Sequence, residues 1–252
     1  MIKFFRKIRK NLLMENKTSK YFKYAIGEII LVVIGILIAL QINNWNEKRK
    51  QNIQELYTLK QLKVEFQADS IKLARLLTIT EGKIKAVKGL SRLIIEQQSD
   101  SLKLPIIFFT GEIIPFYDYS PTYNELVNSG NLNMISNDTI KNVINDFINH
   151  NALVESTIYP NIQQQKSAYK NHVFKYFNGD INGQIWERKL SIKEMEALGS
   201  DYKGYANDPE TKKLLNVVLA GDSKFLFIGK KNISKKLNNV LQLLNNELAK
   251  YD

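Results

Sequence analysis

The sequence contains no cysteine, two histidines, five prolines and twelve glycines among its 252 residues. Without cysteine the chain cannot form disulfides, thiolate zinc sites, iron–sulfur clusters or a thiol nucleophile. So few prolines and glycines favour long helices over a sheet with many turns. With 44% hydrophobic and 24% charged residues, the composition is near that of an average globular protein. This argues against wholesale disorder and against a membrane protein with many spans.

Motifs that would carry chemistry are also missing. The sequence has no HExxH, no GxSxG, no phosphate-binding loop and no glycine-rich dinucleotide signature. His150 and His172 would be roughly 33 Å apart on one straight helix, because each residue adds about 1.5 Å. Acidic residues such as Asp146 and Glu155 are scattered over polar faces. We therefore expect no enzyme activity, no catalytic or metal-binding residues and no cofactor.

The formal net charge of +11 is concentrated near the start of the sequence. Residues 1–23 contain eight basic residues and one acidic residue, a charge of +7, so the other 229 residues contribute only +4. Apolar side chains alternate with these bases, which predicts an amphipathic helix on anionic lipid headgroups of the inner leaflet. A basic run with aromatic residues is also typical of nucleic-acid binding. Because a long apolar segment follows at once, we expect a lipid bilayer as partner and no nucleic acid.

The segment from Ala25 to Ile42 is a predicted transmembrane helix. Glu28 and Gln41 are its only polar side chains. At about 1.5 Å per residue it spans roughly 27 Å, which is near the hydrocarbon thickness of a bilayer. We assign residues 24–43 to the span. The aromatic residues that flank it predict interfacial anchors at Tyr21, Tyr24 and Trp45.

The residues on either side of the span predict its orientation. Basic residues precede it, so the positive-inside rule places the N-terminal segment in the cytoplasm and residues 44–252 on the other side of the membrane. A cleavable signal peptide is the alternative, but it would have a shorter apolar region followed by small residues. Residues 40–44, LQINN, do not fit such a cleavage site. We expect an uncleaved signal anchor.

One face of the span carries a contact stripe, which consists of Ala25, Glu28, Val32, Gly35 and Ala39. Gly35 and Ala39 form a small-xxx-small pair that allows two helices to approach closely. We favour a helix–helix contact face with Glu28 as its polar element. Two other interpretations stay open: Glu28 reaches the inner interface, or it belongs to a proton or ion pathway, which would need further ionisable groups.

Three stretches of the sequence resemble a known family. The runs FFRKIRKNLLMENK and KYFKYAIGEIILVVIGILIALQINNWNEK are similar to the N-terminal signature of uncharacterised single-pass membrane proteins of Bacteroidetes-type bacteria, a domain family of unknown function. The stretch YNELVNSGNLNMISNDTIKNVINDF is similar to a second, looser motif of that family. The resemblance implies a bacterial inner-membrane protein with a periplasmic helical domain. It implies no activity and no catalytic residue.

Apolar spacing after the span predicts more helix. Apolar residues recur at intervals of three and four from Ile53 to Ile94, so we expect the transmembrane helix to continue into a long helix that ends near Gln98. Helix starts are predicted at Ser120 with Pro121, Ser136 with Asp138, Ser191 with Glu194, and Asp208 with Pro209. The helix from Ser120 is expected to end at Gly130, and the helix from Ser136 to reach about Phe177 with a kink near Pro160. The last helix is expected to have weak points at residues 221–223 and at Gly229. The sequence therefore predicts an all-α fold with an antiparallel helical bundle.

Residues 103–121, KLPIIFFTGEIIPFYDYSP, form a segment that we call the strap. It carries the densest apolar and aromatic content after the span, and its three prolines argue against a stable helix. The strap either covers the end of the bundle or presents Phe116, Tyr117 and Tyr119 to a partner.

Two functions are compatible with these features. The first is a membrane-anchored scaffold or protein-interaction subunit that forms a homo-oligomer or docks on a larger membrane protein. The second is a periplasmic ligand-sensing module that signals through a separate membrane partner. A sensor predicts a cavity between the long helices with several inward polar groups, and a uniformly apolar core would count against it.

Overall fold

The computed structural model describes residues 18–112, 114–177, 192–197 and 199–251. The regular secondary structure of these residues is helical, which confirms the predicted all-α fold class. The predicted amphipathic helix before residue 18, the capping residue Ser191 and the side chains of Tyr21 and Tyr24 lie outside the described part. The chain divides into two compact units, Met1–Tyr57 and Thr58–Asp252.

Helix α1, Thr18–Ile95, is continuous, so the predicted continuation of the apolar segment into a long helix is confirmed. Within the second unit it buries one apolar face, on which Leu59, Leu62 and Phe66 are fully buried. Their intervals of three and four are those of a helix that packs on one side. The helix ends before Gln97, which has a positive φ of 57°.

The other helices of the described residues belong to the second unit. They are α2 (Leu104–Thr110), α3 (Pro121–Asn128), α4 (Asp138–Thr157), α5 (Tyr159–Val173), α6 (Ile192–Ala197), α7 (Tyr202–Asn207), α8 (Pro209–Ile228) and α9 (Ser234–Leu248). A π-helix, Gly229–Ile233, joins α8 to α9, and 3₁₀ turns occupy Ser99–Ser101 and Leu132–Met134.

The structure corrects three predictions of helix boundaries. Helix α2 forms inside the strap, because Pro105 lies in the first turn, where a missing N–H costs no hydrogen bond. The expected kink near Pro160 is a break at Ile158 that separates α4 from α5. Helix α4 is capped by Asn137 rather than Ser136, since the Asn137 side chain accepts a 3.0 Å hydrogen bond from the Thr139 N–H.

Other boundary predictions are confirmed. Asp208 caps α8 by accepting a hydrogen bond from the Glu210 N–H at 2.8 Å, as the Asp-Pro pair predicts. Of the two weak points predicted in the last helix, the one at Gly229 is where the π-helix begins, whereas residues 221–223 lie within the continuous helix α8. Gly130 follows α3 with a φ of 70°, a left-handed conformation that glycine adopts without strain.

The core of the second unit is formed by helices from distant parts of the sequence. Helix α8 packs on α5, α9 packs on α4, and α4 packs on α5. Phe66 of α1 contacts Phe147 of α4 edge to face, with ring centroids 5.7 Å apart. One apolar cluster combines Val87 and Leu90 of α1 with residues of α2, α5, α7 and α8.

Candidate functional site

The apolar part of α1 has the properties of a membrane-spanning helix. Its most apolar 18-residue window has a mean hydropathy of 2.6, and none of that window is buried within the protein. In the contact stripe, Val32 is 53% exposed, and a Cβ added at Gly35 would meet no atom within 4 Å. Trp45, a predicted anchor, is also exposed. These side chains are therefore open to contact with lipid or with another helix.

The strap buries some of its side chains and exposes others, and one of its predicted surface residues is wrong. Phe116 is fully buried, so it cannot belong to a partner surface. Tyr117 and Tyr119 are 51% and 69% exposed. The alternation arises because the irregular segment after α2 turns successive side chains to opposite sides, and only the Phe116 ring fills the core.

Hydrogen bonds fasten the strap to α1. The Tyr119 N–H donates to Asp69 at 2.9 Å, and the Lys72 ammonium donates to the Tyr117 carbonyl at 2.5 Å. Glu65, one turn before Asp69 on α1, accepts a 2.5 Å hydrogen bond from the hydroxyl of Thr122, which follows the strap. Burial raises the pKa of Asp69, and the hydrogen bond from Tyr119 opposes that change.

Tyr159 of α5 holds the strap from the opposite side. Its hydroxyl donates to the Phe116 carbonyl at 3.0 Å and accepts from the Phe116 N–H at 3.2 Å. Both backbone groups of a fully buried residue are thus satisfied by one side chain. Burial raises the pKa of Tyr159 well above its usual range.

A buried ionic cluster lies beneath the strap. It consists of Lys83 of α1, Lys166 of α5 and Asp222 of α8, which are between 2% and 4% exposed. Lys83 and Lys166 both donate to the backbone carbonyl of Glu112, and Lys166 forms an ion pair with Asp222 at 2.5 Å. Two cations and one anion share this interior, so the ionic cluster carries an excess positive charge when all three groups are ionised.

The ionic cluster borders a small cavity of about 30 Å³. Thr80, Ile114 and Pro115 also line this cavity. Its size matches roughly one water molecule. The Oδ2 atom of Asp222 is buried and has no hydrogen-bond partner among the described residues. A small polar molecule in the cavity could therefore donate a hydrogen bond to Asp222.

The ionisation of Lys83 is altered by its position. Burial lowers the pKa of Lys83 to about 8, and the neighbouring Lys166 cation adds to the decrease. Burial raises the pKa of Asp222, while Lys166 and Lys83 oppose the rise. Lys83 can accordingly change its charge near neutral pH without leaving the core.

A second buried polar cluster surrounds His172. The Thr211 hydroxyl donates its single proton to the Tyr205 carbonyl at 2.6 Å, so its oxygen must accept from His172 Nε2, which is 2.7 Å away. His172 Nδ1 is buried without a partner among the described residues. Charging His172 would place a proton on that nitrogen, and burial lowers its pKa accordingly.

The two histidines lie on different helices. His150 belongs to α4 and His172 to α5, because the break at Ile158 interrupts the single helix that the sequence predicts. Within the described residues, no group of three or more histidine, aspartate or glutamate side chains is arranged to hold a metal ion.

Sequence reasoning missed the ionic cluster, although a signal for it exists. Each member replaces an apolar residue in a helical stripe: Lys83 lies between Leu76 and Val87, Lys166 follows Ile162, and Asp222 lies between Val218 and Phe225. A charged residue at a core position indicates a buried partner. The pairing itself joins three separate helices and cannot be obtained from spacing.

These features define a class: an all-α protein with one candidate membrane-spanning helix, followed by a helical unit with a buried ionic cluster. The chain belongs to a family of unknown function (DUF6090), whose model matches residues 28–182. This match confirms that the chain belongs to a domain family of unknown function, as its sequence predicts. No curated protein and no solved structure matches the chain. The family match includes Lys83 and Lys166 but ends before Asp222.

Proposed function

We propose that the protein is a membrane-anchored helical subunit that acts by binding other proteins and has no catalytic activity of its own. The carrying observation is the apolar window of α1, which is long enough to cross a bilayer and is not buried by any other part of the protein. An apolar surface of this kind is stable only in contact with lipid or another apolar helix. The helix therefore serves as an anchor.

We further propose an orientation and a location. The charge of +7 on residues 1–23 favours a cytoplasmic N-terminal segment, where anionic headgroups attract lysine and arginine. The folded unit that begins at Thr58 is then periplasmic, and the membrane is the inner membrane of a bacterium of the Bacteroidetes type, as the N-terminal signature suggests.

Labelling of single cysteines tests the orientation, because the natural chain has no cysteine that would react. We expect Lys88→Cys, at an exposed position of α1, to react with a membrane-impermeant maleimide in cells with a permeabilised outer membrane. We expect Lys10→Cys to react only after the inner membrane is lysed. The opposite pattern would reverse the topology, and release of the unit from Thr58 onward without its N-terminal segment would indicate a cleaved signal sequence.

The contact stripe is the proposed site of association within the membrane, with a second copy or a larger membrane protein as partner. Because a Cβ at Gly35 meets no atom of its own chain, Gly35→Leu cannot act through internal packing. Gly27 is equally open but lies off the stripe, so Gly27→Leu is a matched control.

We expect cross-linking in native membranes to recover a dimer or a heteromeric complex from the wild type and from Gly27→Leu. Gly35→Leu should reduce the recovered complex at least tenfold, because a leucine side chain separates closely packed helices. Recovery of monomer alone from all three proteins would remove the contact stripe from the proposal.

A second candidate function, ligand sensing in the periplasm, is favoured by the ionic cluster and its cavity. A sensor requires polar groups inside the core, and the core has them: Lys83, Lys166 and Asp222 line the same cavity. The cavity of about 30 Å³ is, however, far smaller than the roughly 300 Å³ or more of a typical small-molecule site. Sensing would be supported by a thermal shift of the wild type with a small ion that Lys83→Met abolishes; equal shifts in both proteins would exclude this site.

A further inference from the structure

A broad groove runs along the surface between α4 and the junction of α8 and α9. Its volume is about 910 Å³, and we call it the lysine groove. The charged or titratable residues that line it are Asp146, His150, Lys230, Lys231, Lys235 and Lys236. It lies entirely within the unit Thr58–Asp252 and is separate from the ionic cluster beneath the strap.

The π-helix concentrates the four lysines on one side of the helix. In a regular α-helix each residue turns by about 100°, so Lys230 and Lys235 would lie about 140° apart around the axis. The π-turn accommodates one additional residue, which reduces this angle to about 40°. The same holds for Lys231 and Lys236. π-Turns are rare in proteins, and those that occur are often found at functional sites.

Glycine allows the chain to make this turn close to α1. A Cβ on Gly229 would come within 2.4 Å of Leu77 Cδ2, so a larger residue would require either the Leu77 side chain or the π-helix to shift. The lysines at positions 230 and 231 follow directly. Their placement therefore depends on the close packing at Gly229.

The charges in the lysine groove do not balance. Lys230 pairs with Glu81 and Lys236 pairs with Asp146. Lys231 and Lys235 are exposed, and no carboxylate among the described residues forms an ion pair with either. Two uncompensated cations are thus held side by side, and the two paired lysines are positioned by their acidic partners.

The remaining lining residues indicate the chemistry of an occupant. They are side-chain amides and a hydroxyl, from Asn232, Ser234, Asn238, Asn239 and Gln242. Amides can both donate to and accept from peptide groups. Among the described lining residues there is no phenylalanine, tyrosine or tryptophan ring on which a nucleic-acid base could stack, and no apolar residue that could hold an acyl chain. His150 Nε2, buried and without a partner among the described residues, adds a further polar atom.

We propose that the lysine groove binds an extended, acidic segment of a partner protein, with carboxylates at Lys231 and Lys235 and peptide groups at the amide side chains. This inference rests on the proposed function as an interaction subunit and adds the surface and the chemistry of the partner.

A binding measurement on the full chain in phosphatidylcholine nanodiscs tests the inference. The probe is a fluorescein-labelled peptide of ten glutamates, and a peptide of ten glutamines serves as the uncharged comparison. The test variant is Lys231→Glu with Lys235→Glu. The matched control is Lys212→Glu with Lys224→Glu, which makes the same change of charge at exposed positions of α8 outside the groove.

We expect the affinity for the glutamate peptide to fall at least tenfold in the test variant and less than twofold in the control. Binding should also weaken as salt is raised, because the Debye length falls from about 10 Å at 0.1 M to about 3 Å at 1 M. Equal losses in the two variants would show diffuse attraction and overturn the inference. So would groove-dependent binding to vesicles with phosphatidylglycerol but not to the peptide.

The peptide-binding test of the lysine groove and the cross-linking test of the contact stripe at Gly35 can fail independently. If the complex in membranes depends on Gly35 but the two charge variants bind the peptide alike, only the groove is refuted. If Gly35→Leu has no effect but the charge variants differ, the groove remains a binding surface and the contact stripe is refuted.

Discussion

At the scale of single residues, the two buried lysines make the same hydrogen bond but have different energetic roles. Lys166 neutralises Asp222, whereas Lys83 has no carboxylate of its own within ion-pair distance in the described structure. We expect Lys166→Met to lower the free energy of unfolding by about 3–5 kcal/mol, because Asp222 is left as a buried charge. Lys83→Met should be as stable as the wild type at pH 7 or more stable by up to about 2 kcal/mol, since Lys166 still donates to Glu112.

Urea denaturation at pH 7 measures both variants. A loss of several kcal/mol in Lys83→Met, or none in Lys166→Met, would contradict the assignment of the excess charge to Lys83. Asp222→Asn combined with Lys166→Met should recover part of the lost stability, because the uncompensated carboxylate is then absent.

The pKa of Lys83 predicts a specific dependence of stability on pH. The lysine titrates near 10.5 in the unfolded chain and at about 8 in the folded chain. Between these values the unfolded state binds more protons, so the free energy of unfolding rises with pH across this window. The buried tyrosines are present in both the wild type and Lys83→Met, so their effect on stability cancels when the two proteins are compared. We therefore compare the free energy of unfolding of the wild type with that of Lys83→Met at each pH. The difference between them should be constant below pH 8 and should change in favour of the wild type from pH 8 to pH 10.5. A difference that stays constant over the whole range would contradict the lowered pKa of Lys83.

At the scale of elements, one hydroxyl group on α5, that of Tyr159, bonds both backbone groups of Phe116 in the strap. Tyr159→Phe removes the partner of both the Phe116 N–H and its carbonyl. We expect it to cost about 1–3 kcal/mol, because buried backbone groups are left without hydrogen bonds. Amide exchange of residues 114–120 should become at least tenfold faster. Hydrogen exchange with mass spectrometry measures this change.

Tyr123→Phe is the matched control for the strap. Tyr123 is equally buried, but its hydroxyl forms no hydrogen bond with the described residues. Its removal should leave exchange in the strap unchanged. Similar acceleration in both variants would mean that the strap is held by general packing rather than by Tyr159.

At the scale of the whole molecule, we expect the two units to depend on different environments. The apolar side chains of residues 25–42 are not buried within the described structure, whereas the unit from Thr58 has its own buried core. In detergent micelles we therefore expect urea to abolish the tertiary structure of the second unit and to leave residual helix from the first. Far-ultraviolet circular dichroism measures the residual signal.

Lys166→Met serves as an internal check, because it should shift the urea midpoint to lower concentration without changing the residual signal. Loss of all helical signal in one transition would show that the apolar helix depends on the folded unit for its structure.

The sequence alone determined the helical class, the apolar segment and several helix boundaries. Each of these depends on local physics: the length of an apolar run, intervals of three and four, and capping by a side chain such as Asp208. The strap and the last helix were less predictable. Pro105 begins a helix instead of preventing one, and the π-turn at Gly229 depends on contact with Leu77 of a helix far away in the sequence.

The tertiary structure decided which polar residues are buried together. Lys83, Lys166 and Asp222 lie on three helices, so no interval in the chain relates them. The same is true of Phe116, whose backbone groups are bonded by the Tyr159 hydroxyl, and of Lys230 and Lys235, whose common face depends on the π-turn. Spacing describes one element at a time, whereas charge pairing and surface shape arise only when elements pack against each other.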